Sequence, residues 1–331
     1  LGDVYKRQNL VTAAYAKNSW KKIDSALNTL EKFAECKSLS VTWPLPDSLV
    51  SMFIHWCSLE KGLSPGTVST YISLLKLVHR LRGLPHVSCD SFLSKAQIRG
   101  AKNLKFYSQT QSVVTKKVMT LPLLKILGHA IAKSQWADHA KIVIWSSATL
   151  AFFGSLRFGE LLPKSDLSFN KFENLTWSDI RFIDDDSLQI HVKIPKTRTQ
   201  YGEYVSIFSF PHFNCCPVQA LKCLISTTKP DLKAGNSPFV FADGKFLTLS
   251  KMNKILVKLF GPFIGDEAKF YSCKSFRAAL PSALASFPHI ENDVSIKRWG
   301  RWSSDAFERY TRLDHNAKRE LFYRFSAALS S

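Results

Sequence analysis

Apolar positions in the first hundred residues recur at three- and four-residue spacing. Trp20, Ile23, Leu27, Leu30, Phe33 and Ala34 form one such stripe, and that period predicts an amphipathic helix. A second run, with Leu49, Phe53, Ile54, Trp56 and Cys57, follows the Pro44–Pro46 break and stops near Gly62. Ser64–Pro65–Gly66–Thr67 reads as a turn, and Val68, Tyr71, Ile72, Leu75 and Val78 mark a third helix. A fourth is expected from Cys89 to about Asn103, with Asp90 as its N-cap. Residues 106–119 are polar and weakly periodic, and read as a linker. Helices are then predicted near 121–133 and 138–154, followed by strands near 175–183, 187–194 and 203–210. In the middle strand Leu188, Ile190, Val192 and Ile194 alternate with polar neighbours. Pro195 to Gly202 reads as a basic hairpin. Helices return from Pro217 to about Thr227 and near 250–260, 273–286, 292–299, 304–312 and 315–328. The pattern predicts a mainly α chain with a small antiparallel β-sheet. Residues 15–105 would be a helical domain, 106–119 a linker and 120–331 an α+β domain. Residues 1–14 read as a fragment end or a remnant foreign to the fold.

Length agrees with this division, because 331 residues at roughly 150 per domain make two. Hydrophobic residues are 45% and charged residues 21% of the chain, the balance of a globular protein. No apolar run approaches the roughly 20 residues that a membrane-spanning helix needs, so no membrane partner is expected.

Charge changes the picture more. Lys and Arg number 45 against 26 Asp and Glu, a formal net charge of +19. Such an excess points to a polyanion, with nucleic acid ahead of an acidic membrane surface. It is concentrated in residues 76–117, where Lys76, Arg80, Arg82, Lys95, Arg99, Lys102, Lys105, Lys116 and Lys117 face one acid, Asp90. Most charge runs are merely solvated, but this asymmetry favours nucleic-acid contact. The seven cysteines are scattered, with neither CxxC pairs nor a Cys/His cluster at zinc-finger spacing, so no metal site is expected. With no secretory signal, they read as reduced thiols of an intracellular protein.

Four dispersed segments carry candidate chemistry. The first is Phe153–Gly154–Ser155–Leu156–Arg157–Phe158–Gly159–Glu160–Leu161, closing an apolar helix. An Arg there aims a rigid fork of donors suited to phosphate, and Glu160 is placed to reach back and hold it. On its own, Arg-x-x-Glu is a common surface pair. The second is the hairpin with Lys196 in Pro-Lys-Thr and Lys193 just before it. The third is Cys273–Lys274–Ser275–Phe276–Arg277, where Lys274 and Arg277 are spaced i, i+3. The fourth runs from Ile296 through Gly300, Arg301 and Trp302 to Tyr310. A Tyr on a short helix is ordinarily half-buried packing.

In this order and spacing, the four segments resemble the active-site boxes of the tyrosine recombinase, or phage-type integrase, family. The resemblance spans roughly residues 15–325, and Gly-Arg-Trp-Ser-Ser-Asp-Ala-Phe is similar to recombinases of eukaryotic mobile elements such as Cryptons and DIRS-type elements. It implies a helical core-binding domain joined to an integrase-like catalytic domain. By the same resemblance, Arg157 and Arg277 match the two phosphate-binding arginines, Lys274 the His-or-Lys position and Tyr310 the nucleophile. Lys196 matches the hairpin Lys, with Lys193 as the fallback. The sequence departs from the family at the His-or-Trp position, where Arg301 stands beside Trp302. Tyr271 and Tyr323 lack the upstream box and are set aside.

The implied activity is cleavage and rejoining of double-stranded DNA through a 3′-phosphotyrosine, without metal, cofactor or ATP. The implied assembly is a homo-tetramer on paired sites, without a small-molecule substrate; the nucleus is the expected location if the source is eukaryotic. Two other readings stay open. One is a relaxase resembling type IB topoisomerases; the other is a non-catalytic DNA-binding protein descended from a mobile-element recombinase.

Overall fold

The computed structural model describes residues 11–15, 17–108, 117–194, 202–210, 214–233, 236–285, 297 and 299–301. The helices expected at 304–312 and 315–328, most of that at 292–299, and residues 195–201 of the hairpin lie outside them. The chain forms two compact units, residues 1–113 and 114–331.

In the first unit, helix α1 (Lys17–Cys36) buries Ile23, Leu30, Phe33 and Ala34 of the stripe its sequence marks, and Ala26 beside them, while Trp20 and Leu27 are half-buried. Helix α2 (Asp47–His55) continues as a π-helical turn over Trp56–Glu60. Phe33 meets Phe53 and Trp56 at ring separations of 5.5 and 5.6 Å, which seats α1 on α2. Helix α3 (Pro65–Leu81) begins where the sequence suggested a turn. Ser64 caps it by accepting from the Thr67 N–H, and Pro65 fills the first helical position, where no N–H is needed. After the short helix α4 (Val87–Asp90) comes α5 (Phe92–Ser108). Ser91, not Asp90, caps α5 by accepting from the Ser94 N–H at 3.1 Å. The Asp90 carboxylate is drawn instead to Lys76, with His86 and Lys95 at 3.4 and 3.9 Å. Helix α5 runs three residues into the expected linker, because nothing in that stretch breaks it.

One polar group ties this unit's core to its connection. His79 is fully buried; its Nε2 accepts the Leu45 N–H at 3.0 Å, so its Nδ1–H donates to the Leu75 carbonyl at 2.8 Å. Trp43 packs on the imidazole at 4.6 Å, and the Arg82 guanidinium lies 4.3 Å over the indole.

The second unit is built around helix α7 (Asp138–Phe153), buried on nearly every side from Val143 onward. Its hydroxyls stay satisfied inside the core: Ser146 donates to Ala220 O, Ser147 to Ile144 O and Thr149 to Trp145 O. Helix α6 (Leu121–Lys133) packs on α7, and the short α8 (Phe158–Leu161) follows it. Strands β1 (Ile180–Phe182), β2 (Ser187–Val192) and β3 (Glu203–Phe208) form an antiparallel sheet in sequence order. Leu188, Ile190 and Val192 turn inward from β2, as the alternation predicts. Helices α9 (Pro217–Thr227), α10 (Leu249–Ile264) and α11 (Ala279–Ala285) follow the sheet. The helix expected over 273–286 is divided: Cys273–Phe276 is a 3₁₀ turn started by reciprocal Ser272–Ser275 bonds, and α11 begins after Arg277. The end of the expected linker also belongs here. Lys117 N–H donates to Phe270 O, Met119 N–H donates to Ser275 O, and Met119 is fully buried.

No helix among the described residues is long and apolar enough to cross a membrane, and none of their His, Cys, Asp and Glu side chains form a group placed to hold a metal.

Replacing His79 by Leu preserves apolar volume but strands the buried Leu45 N–H. It should destabilise the chain by about 1–3 kcal/mol, read as a lower denaturant midpoint with an unchanged slope.

Candidate active site

The site begins where α7 ends. Gly154 closes the helix and lies so near Ile207 and the Leu150 carbonyl that a Cβ there would stand 2.8 and 2.9 Å from them. Ser155 then takes a left-handed conformation (φ +46°), Leu156 plunges into the core, and Arg157 emerges at the start of α8. The turn of α8 brings Glu160 back: its Oε2 accepts the Arg157 N–H at 2.9 Å and its Oε1 the Arg157 Nη1–H at 2.8 Å.

Arg277 arrives from the 3₁₀ turn. Phe158 and Phe276, each adjacent to one of these arginines, meet edge to face at 5.0 Å and lock the two segments together. Arg277 is 6% exposed, and its fork donates to the Ser155 carbonyl and, at 3.2 Å, to the Arg301 carbonyl. Both acceptors belong to left-handed residues, since Arg301 has φ +54°. Burial, with Arg157 and Arg301 nearby, pulls Arg277 down to about 9, while Glu160 and Glu203 pull it back up.

Arg301 completes the cluster. Its Nη2 donates to both oxygens of Glu160, at 3.0 and 2.8 Å, and its Nη1 stands 3.6 Å from Glu203 Oε2. Its side chain is 8% exposed, and Nε and Nη1 are buried without a hydrogen-bond acceptor. Three guanidiniums therefore converge on one place, balanced by two carboxylates. A positive, preorganised cluster of this kind suits an oxyanion.

The structure brings together Arg157, Glu160, Arg277 and Arg301. Lys274 is exposed, with no hydrogen bond or ion pair to the cluster among the described residues. Lys193 is engaged elsewhere: its ammonium contacts Asp179 Oδ2 at 2.6 Å, Lys171 O at 2.7 Å, Asn174 O at 3.1 Å and Thr176 Oγ1 at 3.2 Å. Lys196, Trp302 and Tyr310 lie outside the described residues, as does Lys116.

Two participants escaped the sequence reading. Ser155 was given no role within its segment, and it takes part through its carbonyl. Glu203 was given no role; its one signal is a carboxylate directly after the Gly that closes a basic hairpin.

Among the basic residues of 76–117, Lys76 pairs with Asp90, Arg80 Nε donates to His86, and Lys117 pairs with Glu267 at 2.7 Å. Lys95, Arg99 and Lys102 are exposed on α5 at the spacing of one helix face. Nothing is described of the Lys105 side chain.

No protein-family model matches the chain, and no curated protein matches it. Solved structures do. The Tn1549 transposon integrase, in complex with circular intermediate DNA, is 17% identical, with 97% of this chain and 98% of that chain covered and a TM-score of 0.61. A lambda integrase dimer bound to a core site is 12% identical, covering 94% and 75%, at 0.54. The XerH site-specific recombinase, bound to its palindromic substrate, is 12% identical, covering 89% and 76%, at 0.53. The chain has the fold of the tyrosine recombinases and integrases.

Glu160→Ala removes a buried carboxylate that two guanidiniums share. It should destabilise the chain by about 3 kcal/mol, whereas an exposed control, Glu173→Ala, should change the unfolding midpoint little.

Proposed function

We propose that this chain is a DNA strand transferase of the tyrosine recombinase type, with Tyr310 as its nucleophile. The observation that supports this reading most is the gathering of Arg157, Arg277 and Arg301 around Glu160, from segments 24 to 141 residues apart, in a chain with that fold. Sites that bind one phosphodiester by cations alone need this convergence.

In the proposed reaction the Tyr310 oxygen attacks the scissile phosphorus and the bond to the 5′ oxygen breaks. The arginines neutralise charge on the non-bridging oxygens. A free Tyr has a pKa of about 10, and nearby cations favour its phenolate. Lys196 protonates the leaving 5′ oxygen as general acid. It is preferred to Lys193, whose ammonium already serves Asp179 and three other oxygens. The phosphotyrosine preserves a phosphoester, so a 5′ hydroxyl from another strand can reverse the step and exchange strands without ATP. Exposed Lys95, Arg99 and Lys102 would contact the duplex backbone, and exchange between two sites calls for a tetramer.

On a nicked suicide duplex, the unaltered chain should form a denaturation-resistant DNA adduct, and Tyr310→Phe should bind the duplex but form none. An adduct in that variant would end the assignment. Plasmid relaxation without recombination between paired sites would favour the relaxase reading.

Lys196→Ala should lose adduct formation on ordinary DNA by about a hundredfold or more. A 5′-bridging phosphorothiolate, whose leaving group needs no proton, should restore it. Lys193→Met should instead unfold the chain at lower denaturant and gain nothing from that substrate.

A further inference from the structure

Resting on the reading above, we infer that Glu203 is a positioning residue of the active site: through Arg301 it sets the place of Glu160 and so of Arg157.

One carboxylate oxygen in the cluster is shared. Glu160 Oε1 accepts from Arg157 Nη1 at 2.8 Å and from Arg301 Nη2 at 3.0 Å. Two guanidiniums on one oxygen repel each other, and the arrangement is sensitive to how far Arg301 leans in. Glu203 draws on the other side of Arg301, 3.6 Å from Nη1. Arg301 is thus suspended between two carboxylates, and the loss of one lets it move onto the other.

Glu203 is itself held to a fixed place. It opens β3, paired with Val192 across the sheet. The preceding Gly202 has φ +72° and lies so close to Val192 O and the His191 ring that a Cβ there would fall 2.7 and 2.5 Å from them. Only Gly permits that approach, which sets where β3 starts and where its first side chain leaves the strand. At the far end of β3, Phe208 lies 6.3 Å from the ring of Trp299, two residues before Arg301. The strand therefore holds the Arg301 segment at both ends, once by an aromatic contact and once by charge.

The cluster's balance points the same way. Buried guanidiniums need counter-charge, and Arg277, already disfavoured by burial and by Arg157 and Arg301, is supported by Glu160 and Glu203. With both carboxylates, three arginines carry a net charge of one, the match for a single phosphodiester.

The test is a double-mutant cycle of the full chain, Glu203→Gln, Arg301→His and both together, on the nicked suicide duplex. Single-turnover adduct formation and affinity for uncleaved duplex are measured separately. Glu203→Gln should slow adduct formation about tenfold or more, leave affinity within about twofold, and have no further effect once Arg301 is His. Equal slowing in both backgrounds, or affinity falling in step with rate, overturns the inference. The same four proteins are compared by thermal unfolding, which needs no activity. There Glu203→Gln should lower the midpoint only where Arg301 is present, and additive shifts overturn the inference. If the unaltered chain forms no adduct, the reading of Tyr310 chemistry fails, and the unfolding cycle still judges the Glu203–Arg301 pair.

Discussion

Like charges do not gather out of water without a counter-charge, and the Glu160 carboxylate meets that constraint. It is 5% exposed and accepts from two guanidiniums and one backbone N–H. A buried carboxylate so surrounded would be costly if any partner were absent. The short helix α8, the exit from α7 and the approach of Arg301 are therefore interdependent. The functional candidates and the packing of this region rest on the same bonds.

Backbone conformation shows the same dependence. Ser155 and Arg301 are left-handed without being glycine, a state that costs about 1–3 kcal/mol each and persists where surroundings enforce it. Arg277 bonds the carbonyl of each. A side chain that the motif presents as a phosphate ligand is here also a brace for its neighbours' main chain. The apolar frame around it is firm: Gly154 lies against Ile207, Phe158 against Phe276 and Phe153 against Phe210, at 4.9 Å for the last pair.

Much of the fold was legible because its signals are local. The apolar stripe over Trp20–Ala34 and the alternation from Leu188 to Val192 each act within a few residues. Errors arose where two local signals competed. Asp90 and Ser91 both make good N-caps, and Lys76, distant in sequence, decided between them by drawing the Asp90 carboxylate away. The 273–286 stretch has helical composition, but the segment breaks at Arg277, whose side chain turns inward to Ser155 and Arg301.

By itself the sequence determined the helical character, the small sheet, the basic excess and the ordered motifs that nominate Arg157, Arg277 and Arg301. These follow from residue type and short spacing. Only tertiary structure decided that the three share one space, that Glu160 serves two of them, that Lys193 is occupied by Asp179 and that Glu203 takes part at all. The reason is physical: a carboxylate's partner is set by which charge lies within about 4 Å, and contacts spanning 24 to 141 residues of chain leave no periodic trace in it.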